Sequence, residues 1–339
     1  MVNTVCRREH VFVTGAEGFI GSHLVESLLS RGYKVNAFVL YNSFSATGWL
    51  TEIDDSLREN LTIYLGDVRD QQTVEAALQG CDSIVHLASL ITIPYSYIAP
   101  VSYFETNVKG TINVLNAARN HNVRRIVHTS TSEVYGSAQI VPIPESHPLV
   151  GQSPYSASKI GADQAAYSFY ASFELPVVTA RPFNTFGPRQ SARAVIPTIM
   201  SQIIAGQTEL QLGDTSTTRD FNYVSDTVNG IITLLEGDTG CGEVFNIGSG
   251  FEINIDNLLK KIENISGVNL QLNIDKNRLR PTNSEVQRLC ADNTKIREQF
   301  GWSPEYAGED GLERALKNTF DWLSARQDIA KTYSAGYKV

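Results

Sequence analysis

The feature that most constrains this chain is a run of closely spaced glycines between an apolar segment and a helical pattern. Gly15, Gly18 and Gly21 follow the β-rich segment His10–Thr14 and open a helix predicted at residues 19–31. In such a strand–turn–helix, glycines allow a tight turn, close approach of the backbone to a pyrophosphate, and close packing of the helix on the strand. The motif therefore predicts a βαβ unit that binds a dinucleotide.

The first 180 residues repeat this alternation, which is typical of an α/β Rossmann fold with a doubly wound parallel sheet. Predicted strands lie at residues 10–14, 33–40, 61–65, 82–86, 125–129 and 176–181. Predicted helices lie at residues 19–31, 71–79, 101–121 and 154–173. After Arg181-Pro182 the sequence becomes richer in Pro, Gly, Asn and Thr, with helices predicted near 193–205, 255–265 and 310–325. We therefore predict a Rossmann domain over residues 1–181 and a smaller C-terminal α/β substrate domain over 182–339, with 221–250 returning to the Rossmann sheet.

Length and charge narrow the class of protein. A chain of 339 residues with 42% hydrophobic composition can bury one large core or two coupled cores. The formal net charge of −8 argues against nucleic acid as a partner. The apolar runs are too short to cross a bilayer and the N-terminus lacks an apolar signal core, so we expect a cytoplasmic protein without a membrane partner. The four cysteines have no paired spacing, so we predict neither disulfides nor a metal site.

Parallel sheets of this kind bind ligands at the carboxyl ends of their strands. We therefore assign cofactor binding to the glycine loop, to the residues that follow the later strands, and to a polar helix residue, Asn107, that would support the lysine described below or the nicotinamide ribose. The assigned residues are Gly15, Gly18, Phe19, Ile20, Gly21, Asp67, Val68, Leu87, Ala88, Ser89, Asn107, Thr129, Ser130, Pro182 and Phe183.

The second predicted strand ends unusually for such a site. An NAD site usually has an acidic residue there for the ribose hydroxyls, but this strand continues as Leu40-Tyr41-Asn42-Ser43. It offers no arginine for a 2′-phosphate either. Since Asn42 and Ser43 could hydrogen-bond a free ribose, the sequence favours NAD over NADP.

Tyr155 and Lys159 lie one helical turn apart on the same face of a predicted helix. An ammonium beside a phenol favours the phenolate, which lowers the tyrosine pKa from about 10 toward working pH. A surface pair is the alternative for such a common spacing. Because Ser130-Thr131 ends the fifth predicted strand upstream, we interpret Thr131, Tyr155 and Lys159 as catalytic, with the tyrosine and lysine also contacting the cofactor.

The glycine loop, His86-Leu87-Ala88, Ser130-Thr131 and the Tyr155/Lys159 pair resemble the extended short-chain dehydrogenase/reductase superfamily, also called NAD-dependent epimerases/dehydratases. The resemblance covers nearly the whole chain. It implies a C-terminal domain that binds a nucleotide-diphosphate sugar and a homodimer formed through two helices of each subunit. Segments 181–188, 219–226 and 246–249 are similar to the superfamily's substrate-domain motifs. We assign substrate binding to Tyr95, Asn184, Arg189, Arg219, Arg280 and Glu285, with Arg219 and Arg280 expected on the diphosphate.

The triplet Thr131-Ser132-Glu133 resembles that of GDP-mannose 4,6-dehydratases. In such an enzyme Tyr155 takes the C4 hydroxyl proton while hydride leaves to NAD, and Glu133 removes the C5 proton and helps the C6 hydroxyl leave as water. The hydride then returns to C6. dTDP-glucose 4,6-dehydratases have aspartate at the position of Ser132, so whether Glu133 serves as both base and acid stays open. A glutamate that only caps the strand end is the structural alternative.

Three other functions remain in view. UDP-glucuronate decarboxylases share the triplet and the segment Asn184–Arg189, and would need Arg189 or Arg193 for the C6 carboxylate. A nucleotide-sugar 4-epimerase would have no use for Glu133, and a dinucleotide-sensing Rossmann protein would not need the catalytic set. Segments 38–44, 48–50, 93–97, 280–285 and 301–302 resemble nucleotide-N-acetylglucosamine 4,6-dehydratases of the legionaminic acid type, which supply 6-deoxy-4-keto sugars for surface polysaccharides. UDP- or GDP-N-acetylglucosamine is therefore the expected substrate.

Overall fold

The computed structural model describes residues 9–275 and 279–334. Its centre is a seven-stranded parallel sheet with the strand order β10-β6-β5-β4-β1-β2-β3. The strands of this sheet are β1 (His10–Thr14), β2 (Lys34–Leu40), β3 (Leu61–Gly66), β4 (Ser83–His86), β5 (Arg125–Thr129), β6 (Val177–Pro182) and β10 (Val244–Ile247). This is the Rossmann α/β fold that the sequence predicts.

Short strands of the second half form two smaller sheets. One contains β11-β9-β13 with β7 paired to β9, and the other pairs β12 with β8. Their bounds are β7 (Asn184–Phe186), β8 (Glu209–Leu212), β9 (Thr218–Tyr223), β11 (Glu252–Asn254), β12 (Gln271–Ile274) and β13 (Arg288–Leu289).

Helices cover both faces of the main sheet and build much of the second half. They are α1 (Phe19–Ser30), α2 (Gln71–Leu78), α3 (Ile93–Ile98), α4 (Pro100–Tyr103), α5 (Gly110–Asn120), α6 (Pro154–Phe173), α7 (Val195–Ile204), α8 (Val224–Glu236), α9 (Ile255–Ser266), α10 (Thr294–Phe300), α11 (Gly308–Ser324) and α12 (Gln327–Ser334). A π-helical stretch, Phe104–Lys109, joins α4 to α5, so the helix predicted at 101–121 is one helical run with a local widening.

Burial explains why the main sheet forms. Val11, Phe12 and Val13 of β1 are fully buried, as expected for parallel strands covered by helices on both faces. β1 pairs with β2 on one side and with β4 on the other. Strand order therefore reverses beside β1, and such a switch point leaves a crevice at the carboxyl ends of the strands.

Helix α6 carries the predicted catalytic pair and has a well-defined start. The Ser153 hydroxyl accepts a hydrogen bond from Ser156 N, Pro154 is the first helical residue, and the Ser156 hydroxyl receives the Ser153 N–H in return. This reciprocal cap satisfies amides that a helix start otherwise leaves unpaired. The helix spans the predicted residues, so the positions of Tyr155 and Lys159 in its first turns are fixed.

Segment 221–250 contains more than the predicted returning strand. β10 pairs with β6 in parallel at the edge of the main sheet, but α8 precedes it and packs against α1. The sequence analysis did not predict α8, because its Thr, Val and Ile residues are typical of strands. Burial of Ile231, Leu234 and Leu235 on one side stabilises it as a helix. The division of the chain into two domains stays a prediction.

Within the described ranges, no helix is long and apolar enough to cross a membrane. The same residues contain no group of three or more side chains that could hold a metal ion.

Candidate active site

A cavity of about 1070 Å³ opens at the carboxyl ends of the main-sheet strands. One side is formed by the glycine loop and by residues after β2 to β6, and the other by residues of the second half. It therefore lies at the switch point where the fold places a ligand.

The glycine loop is shaped to take a pyrophosphate. Gly15 has φ +65°, and a Cβ built on it would lie 2.8 Å from the Ala88 amide nitrogen. Helix α1 begins four residues later with an uncapped N-terminus, since Gly18 has no side chain to accept its amides. Free amides and a helix dipole at the end of a glycine cradle suit a dinucleotide pyrophosphate.

Most of the predicted cofactor-binding residues line this cavity. They are Gly15, Gly18, Phe19, Ile20, Gly21, Asp67, Val68, Leu87, Ala88, Ser89, Thr129, Ser130, Tyr155, Lys159, Pro182 and Phe183. The structure thus brings together residues that lie up to 168 positions apart in the sequence.

The predicted roles of Asn42 and Ser43 need correction. The Asn42 amide holds its own loop together: its oxygen accepts from Phe44 N (3.2 Å) and Ala46 N (3.0 Å), and its nitrogen donates to Leu40 O (3.1 Å). Neither Asn42 nor Ser43 is among the cavity-lining residues. The Asn42 amide is therefore used within its own loop, and both residues lie outside the cavity wall.

Asn107 also differs from its assignment as a cofactor contact. It is buried, its oxygen accepts from Ser89 Oγ (2.9 Å) and Leu90 N (2.8 Å), and its nitrogen donates to Leu90 O (3.0 Å) and Ser158 Oγ (2.9 Å). The amide is therefore fully used within the protein. It ties the loop after β4 to α6 and acts on the site by positioning these elements.

The five predicted catalytic residues converge on the cavity. Thr131, Ser132, Glu133, Tyr155 and Lys159 all line it and all are buried. A short 3₁₀ turn directly after β5, capped by a hydrogen bond from Glu133 N to Thr131 Oγ1 (3.3 Å), brings the carboxylate to the cavity.

The pKa values in this cluster follow burial. Burial raises the pKa of Tyr155 well above its usual value, a hydrogen bond with Thr131 acts in the opposite direction, and the charge of Glu133 raises it further. Burial lowers the pKa of Lys159 to about 8, and its Nζ donates to Thr129 O at 2.7 Å. Burial thus keeps the Tyr155 pKa high, contrary to the lowering that we expected from Lys159, and a further positive charge is needed at the phenol.

Asp163 organises the polar groups around Lys159. Its carboxylate accepts hydrogen bonds from Ser130 Oγ (2.7 Å) and Arg181 Nη2 (2.8 Å), and its other oxygen lies 3.0 Å from His128 Nε2. All four side chains are buried. Because the hydroxyl of Ser130 is donated to Asp163, that hydrogen is not available to the cofactor.

This carboxylate makes stability depend on pH. Burial would raise the pKa of Asp163, but His128 and Arg181 lower it to about 2, from 3.8. A folded-state pKa below the unfolded value stabilises the protein above pH 4, and the contribution, about 2 kcal/mol, is lost as pH falls toward 2. Asp163→Asn should lower the free energy of unfolding at pH 7 by about 3–5 kcal/mol, because Arg181 is left buried without a carboxylate.

Urea unfolding of both proteins at pH 7 and pH 3 checks this expectation. The free energies of unfolding of wild type and Asp163→Asn should differ by about 1 kcal/mol less at pH 3 than at pH 7. At pH 3 the ionised Asp163 carboxylate has lost part of its stabilising effect on the wild type. An unchanged difference would show that the pKa of Asp163 is not depressed by folding.

Three of the predicted substrate residues, Arg219, Arg280 and Glu285, form a charged group beside Glu133. Arg219 Nη2 lies 3.2 Å from Glu285 Oε1, Arg280 Nη1 lies 3.5 Å from the same oxygen, and Arg280 Nη1 lies 4.0 Å from Glu133 Oε1. Asn184 Oδ1 is shielded from solvent and has no hydrogen-bond partner among the described residues. Two guanidinium groups at one cavity wall suit a diphosphate ester, whereas the unpaired Asn184 oxygen suits a substrate hydroxyl, which can donate to it.

Tyr95 also lines the cavity. Its ring centroid is 6.3 Å from that of Tyr103, which in turn is 6.2 Å from that of Tyr155. It therefore lies at the catalytic end of the cavity, where it was predicted to meet the sugar.

Arg189 is a correction. Although it lines the cavity, its guanidinium is paired with Glu26 of α1 at 2.8 Å and lies 3.4 Å from the Ser22 hydroxyl. This arginine ties the segment after β7 to α1, so it is not free to hold a substrate diphosphate or carboxylate. Arg193, which also lines the cavity, lies near enough to Tyr103 for its charge to lower the pKa of that phenol, against the raising effect of burial.

The sequence analysis missed further cavity-lining residues, of which three bear on the site. Glu17 lies within the glycine motif, Trp49 follows β2 by nine residues, and Tyr333 belongs to α12 near the end of the chain. A carboxylate inside a glycine loop could have been noticed as unusual. Trp49 was noted only as part of segment 48–50, and Tyr333 carries no local signal, since only the fold brings it to the cavity.

Comparison with known proteins agrees with this geometry. A family model described as GDP-mannose 4,6 dehydratase matches residues 12–315. The low-salt glycan biosynthesis protein Agl12 of Haloferax volcanii is 35% identical over 317 residues, which cover 90% of this chain and 97% of the relative.

Two solved structures are similar over nearly the whole chain. DesIV, a dTDP-glucose 4,6-dehydratase from Streptomyces venezuelae solved with NAD bound, has a TM-score of 0.82 at 31% identity, covering 96% of this chain and 99% of that one. A UDP-N-acetylglucosamine 4-epimerase from Methanobrevibacter ruminantium, in complex with UDP-N-acetylmuramic acid, has a TM-score of 0.82 at 30% identity, covering 94% and 99%.

Proposed function

Because the chain belongs to the GDP-mannose 4,6-dehydratase family of extended short-chain dehydrogenases/reductases, we propose that it is an NAD-dependent 4,6-dehydratase of a nucleotide-activated N-acetylglucosamine. The observation that carries this proposal is the position of Glu133. Its carboxylate is buried in the same cavity as Tyr155 and close enough to raise the pKa of that phenol. An epimerase needs only the phenol, whereas a dehydratase needs both groups.

NAD fits the half of the cavity built by the first six strands. The cradle at Gly15 and the start of α1 would take the pyrophosphate, and Asp67 and Val68 after β3 would take the adenosine. When bound, NAD supplies a hydride acceptor and a positive charge at the nicotinamide ring.

Tyr155 and Lys159 would carry the first proton transfer. The Tyr155 phenolate would take the proton of the C4 hydroxyl as the C4 hydride leaves the sugar, and a hydrogen bond from Thr131 would stabilise that phenolate before the transfer. Lys159, held by the Thr129 carbonyl at 2.7 Å, adds positive charge behind it. The resulting C4 ketone makes the C5 proton acidic.

Glu133 would carry the elimination. Its carboxylate removes the C5 proton, and the same proton leaves with the C6 hydroxyl as water, which produces a C5–C6 double bond conjugated to the ketone. Hydride then adds to C6, a proton from solvent adds to C5, and no cofactor is consumed. Ser132 stands where dTDP-glucose enzymes have an acid, so the mechanism assigns both the basic and the acidic role to Glu133.

The other wall of the cavity supports a nucleotide-sugar substrate. Arg219 and Arg280 would exchange their contacts with Glu285 for the diphosphate, and Asn184 Oδ1 would accept a hydrogen bond from a substrate hydroxyl. The N-acetylglucosamine assignment rests on segments that resemble the legionaminic acid type enzymes. Trp49, Ile93 and Arg280 place three of those segments on the cavity wall. The proposed product is a 6-deoxy-4-keto sugar for surface polysaccharides.

An assay without added cofactor tests the proposal. Purified protein mixed with UDP- or GDP-N-acetylglucosamine in deuterated water should give a product lighter by one water, with one solvent deuterium at C5. Mass spectrometry and proton NMR measure both. Release of carbon dioxide from UDP-glucuronate, or a C4 epimer of unchanged mass, would replace the dehydratase assignment by the decarboxylase or the epimerase.

We also propose a homodimer through the helices around α6. Val101, Phe104, Tyr167 and Phe173 are apolar or aromatic side chains with 45–68% of their surface exposed, and α6 packs directly against the π-helical stretch that contains Phe104. Helices with such faces need a partner. Light scattering should give twice the chain mass for wild type and for the control variant Ile274→Glu. The double variant Phe104→Glu/Tyr167→Glu should give the mass of a monomer. If the double variant is still a dimer, the interface lies elsewhere.

A further inference from the structure

NAD sites usually have an acidic residue at the end of the second strand. In this chain no carboxylate follows Leu40, the last residue of β2. The structure brings one there from another element. Leu40 N donates a hydrogen bond to Glu17 Oε1 at 3.0 Å, and Glu17 lies inside the glycine motif between Gly15 and Gly18. The end of β2 therefore has an acidic group after all, supplied by the loop between β1 and α1.

Contacts with the loop after β2 fix Glu17 in this position. Trp49 N donates to the Glu17 carbonyl at 3.1 Å. Gly48 has φ +53°, and a Cβ built on it would lie 2.5 Å from the Glu17 carbonyl oxygen and 3.0 Å from the Glu17 Cβ. Only glycine fits there, so the loop that Asn42 holds together is packed directly on Glu17.

The second carboxylate oxygen of Glu17 lacks a partner. Oε2 is shielded from solvent and has no hydrogen bond among the described residues, although the side chain lines the cavity. Leaving a buried carboxylate oxygen unpaired is costly. A donor from a ligand at the end of β2 would remove that cost, and the hydroxyls of an adenosine ribose are such donors.

The surrounding charges oppose a phosphate at this place. Leu40 pairs with Gly66 of β3, and the next residue is Asp67. Arg69 also lines the cavity here, but its guanidinium is held by both oxygens of Asp67, with Nε at 3.0 Å from each. Glu17, Asp67 and Arg69 together therefore carry a net charge of −1, which repels the 2′-phosphate of NADP.

We propose that Glu17 accepts the hydrogen bond of the adenosine 2′-hydroxyl and is the residue that selects NAD against NADP. This inference rests on the proposed NAD cofactor and deepens it. It replaces the predicted roles of Asn42 and Ser43, and it assigns the selection to the glycine loop instead of the second strand.

Binding measurements with the 339-residue chain test the proposal. Calorimetry would give the dissociation constants of NAD, NADP and 2′-deoxy-NAD for wild type and for Glu17→Gln, which keeps the acceptor for Leu40 N but removes the charge. We expect NAD binding to weaken about 10-fold and the NADP-to-NAD affinity ratio to rise at least about 10-fold. Wild type should bind 2′-deoxy-NAD about 10-fold more weakly than NAD, and the variant should show little further loss.

A matched control and the contrary outcomes separate the possible roles. The control is Glu52→Gln, in the 3₁₀ turn that begins at Gly48. The Glu52 carboxylate pairs with Arg326 at 3.2 Å and does not line the cavity. The NADP-to-NAD affinity ratio of this variant should therefore equal that of wild type. If Glu17→Gln weakens all three ligands equally, Glu17 only holds the loop and the inference is wrong. If wild type binds no NAD, the cofactor assignment fails first and this inference with it.

Discussion

Tyr155→Phe should lower kcat for dehydration by about 10²–10⁴-fold, the usual contribution of a general acid–base group. The substitution removes only the phenol oxygen and keeps the ring that packs edge-on against Tyr103. Binding of NAD and nucleotide sugar should therefore change little, and the unfolding temperature should stay close to that of wild type. The steady-state rate of water loss, with a thermal unfolding curve for each protein, measures both effects.

Tyr103→Phe is the matched control. Tyr103 is buried beside Tyr155, but its hydroxyl donates to the Thr92 carbonyl at 2.5 Å and the residue does not line the cavity. Loss of the Tyr103 hydroxyl should lower the free energy of unfolding and leave kcat within a few-fold of wild type. A Tyr155→Phe protein that retains a tenth of the wild-type kcat would show that another group takes the C4 hydroxyl proton.

Glu133→Gln should separate the two halves of the reaction. Oxidation at C4 needs Tyr155 and can proceed, but removal of the C5 proton loses its base, so water loss should fall by about 10²–10⁴-fold. Reduced nicotinamide and a 4-keto sugar that has not lost water should accumulate on the enzyme in a single turnover. Absorbance of the reduced cofactor, followed with the mass of the sugar after quenching, measures the two steps separately.

The same substitution should shift the pH dependence of the oxidation step. The charge of Glu133 raises the pKa of Tyr155, so a neutral amide lowers that pKa and moves the rise of the oxidation rate to lower pH. Glu285→Gln is the comparison, because it removes the neighbouring carboxylate that faces the same Arg280 nitrogen. It should raise KM for the sugar without uncoupling oxidation from water loss, and accumulation of reduced cofactor in Glu285→Gln but not in Glu133→Gln would transfer the base to residue 285.

The sequence was most informative where local signals agree. β1, β5 and α6 have the predicted bounds, because an apolar run or a serine–proline helix start determines each of them locally. The proposed catalytic residues follow from these elements, since Thr131 lies two residues after β5 and Tyr155 lies in the first turn of α6. The parallel sheet then brings these ends to one edge whatever the intervening sequence does.

The errors arose where distant contacts decide the outcome. Asn42 and Ser43 follow a strand that points at the cofactor site, but the approach of Gly48 to Glu17 folds their loop away. Arg189 lies in a motif typical of substrate domains, yet its pairing with Glu26, more than 160 residues earlier, uses the guanidinium. No periodicity or spacing contains such information, because it depends on which elements become neighbours.

The late position of Tyr333 in the sequence has a consequence for synthesis. A ribosome adds about 5–20 residues per second, so roughly 8–30 s separate the emergence of Phe183, on the cofactor side, from that of Tyr333 in α12. In the first part of this interval one edge of β6 is also unpaired, because β10 pairs with it only after Ile247 has been made. A nascent chain that binds NAD early would thus gain order on the ribosome before it can enclose a sugar nucleotide, and chaperone demand should be greatest between the two events.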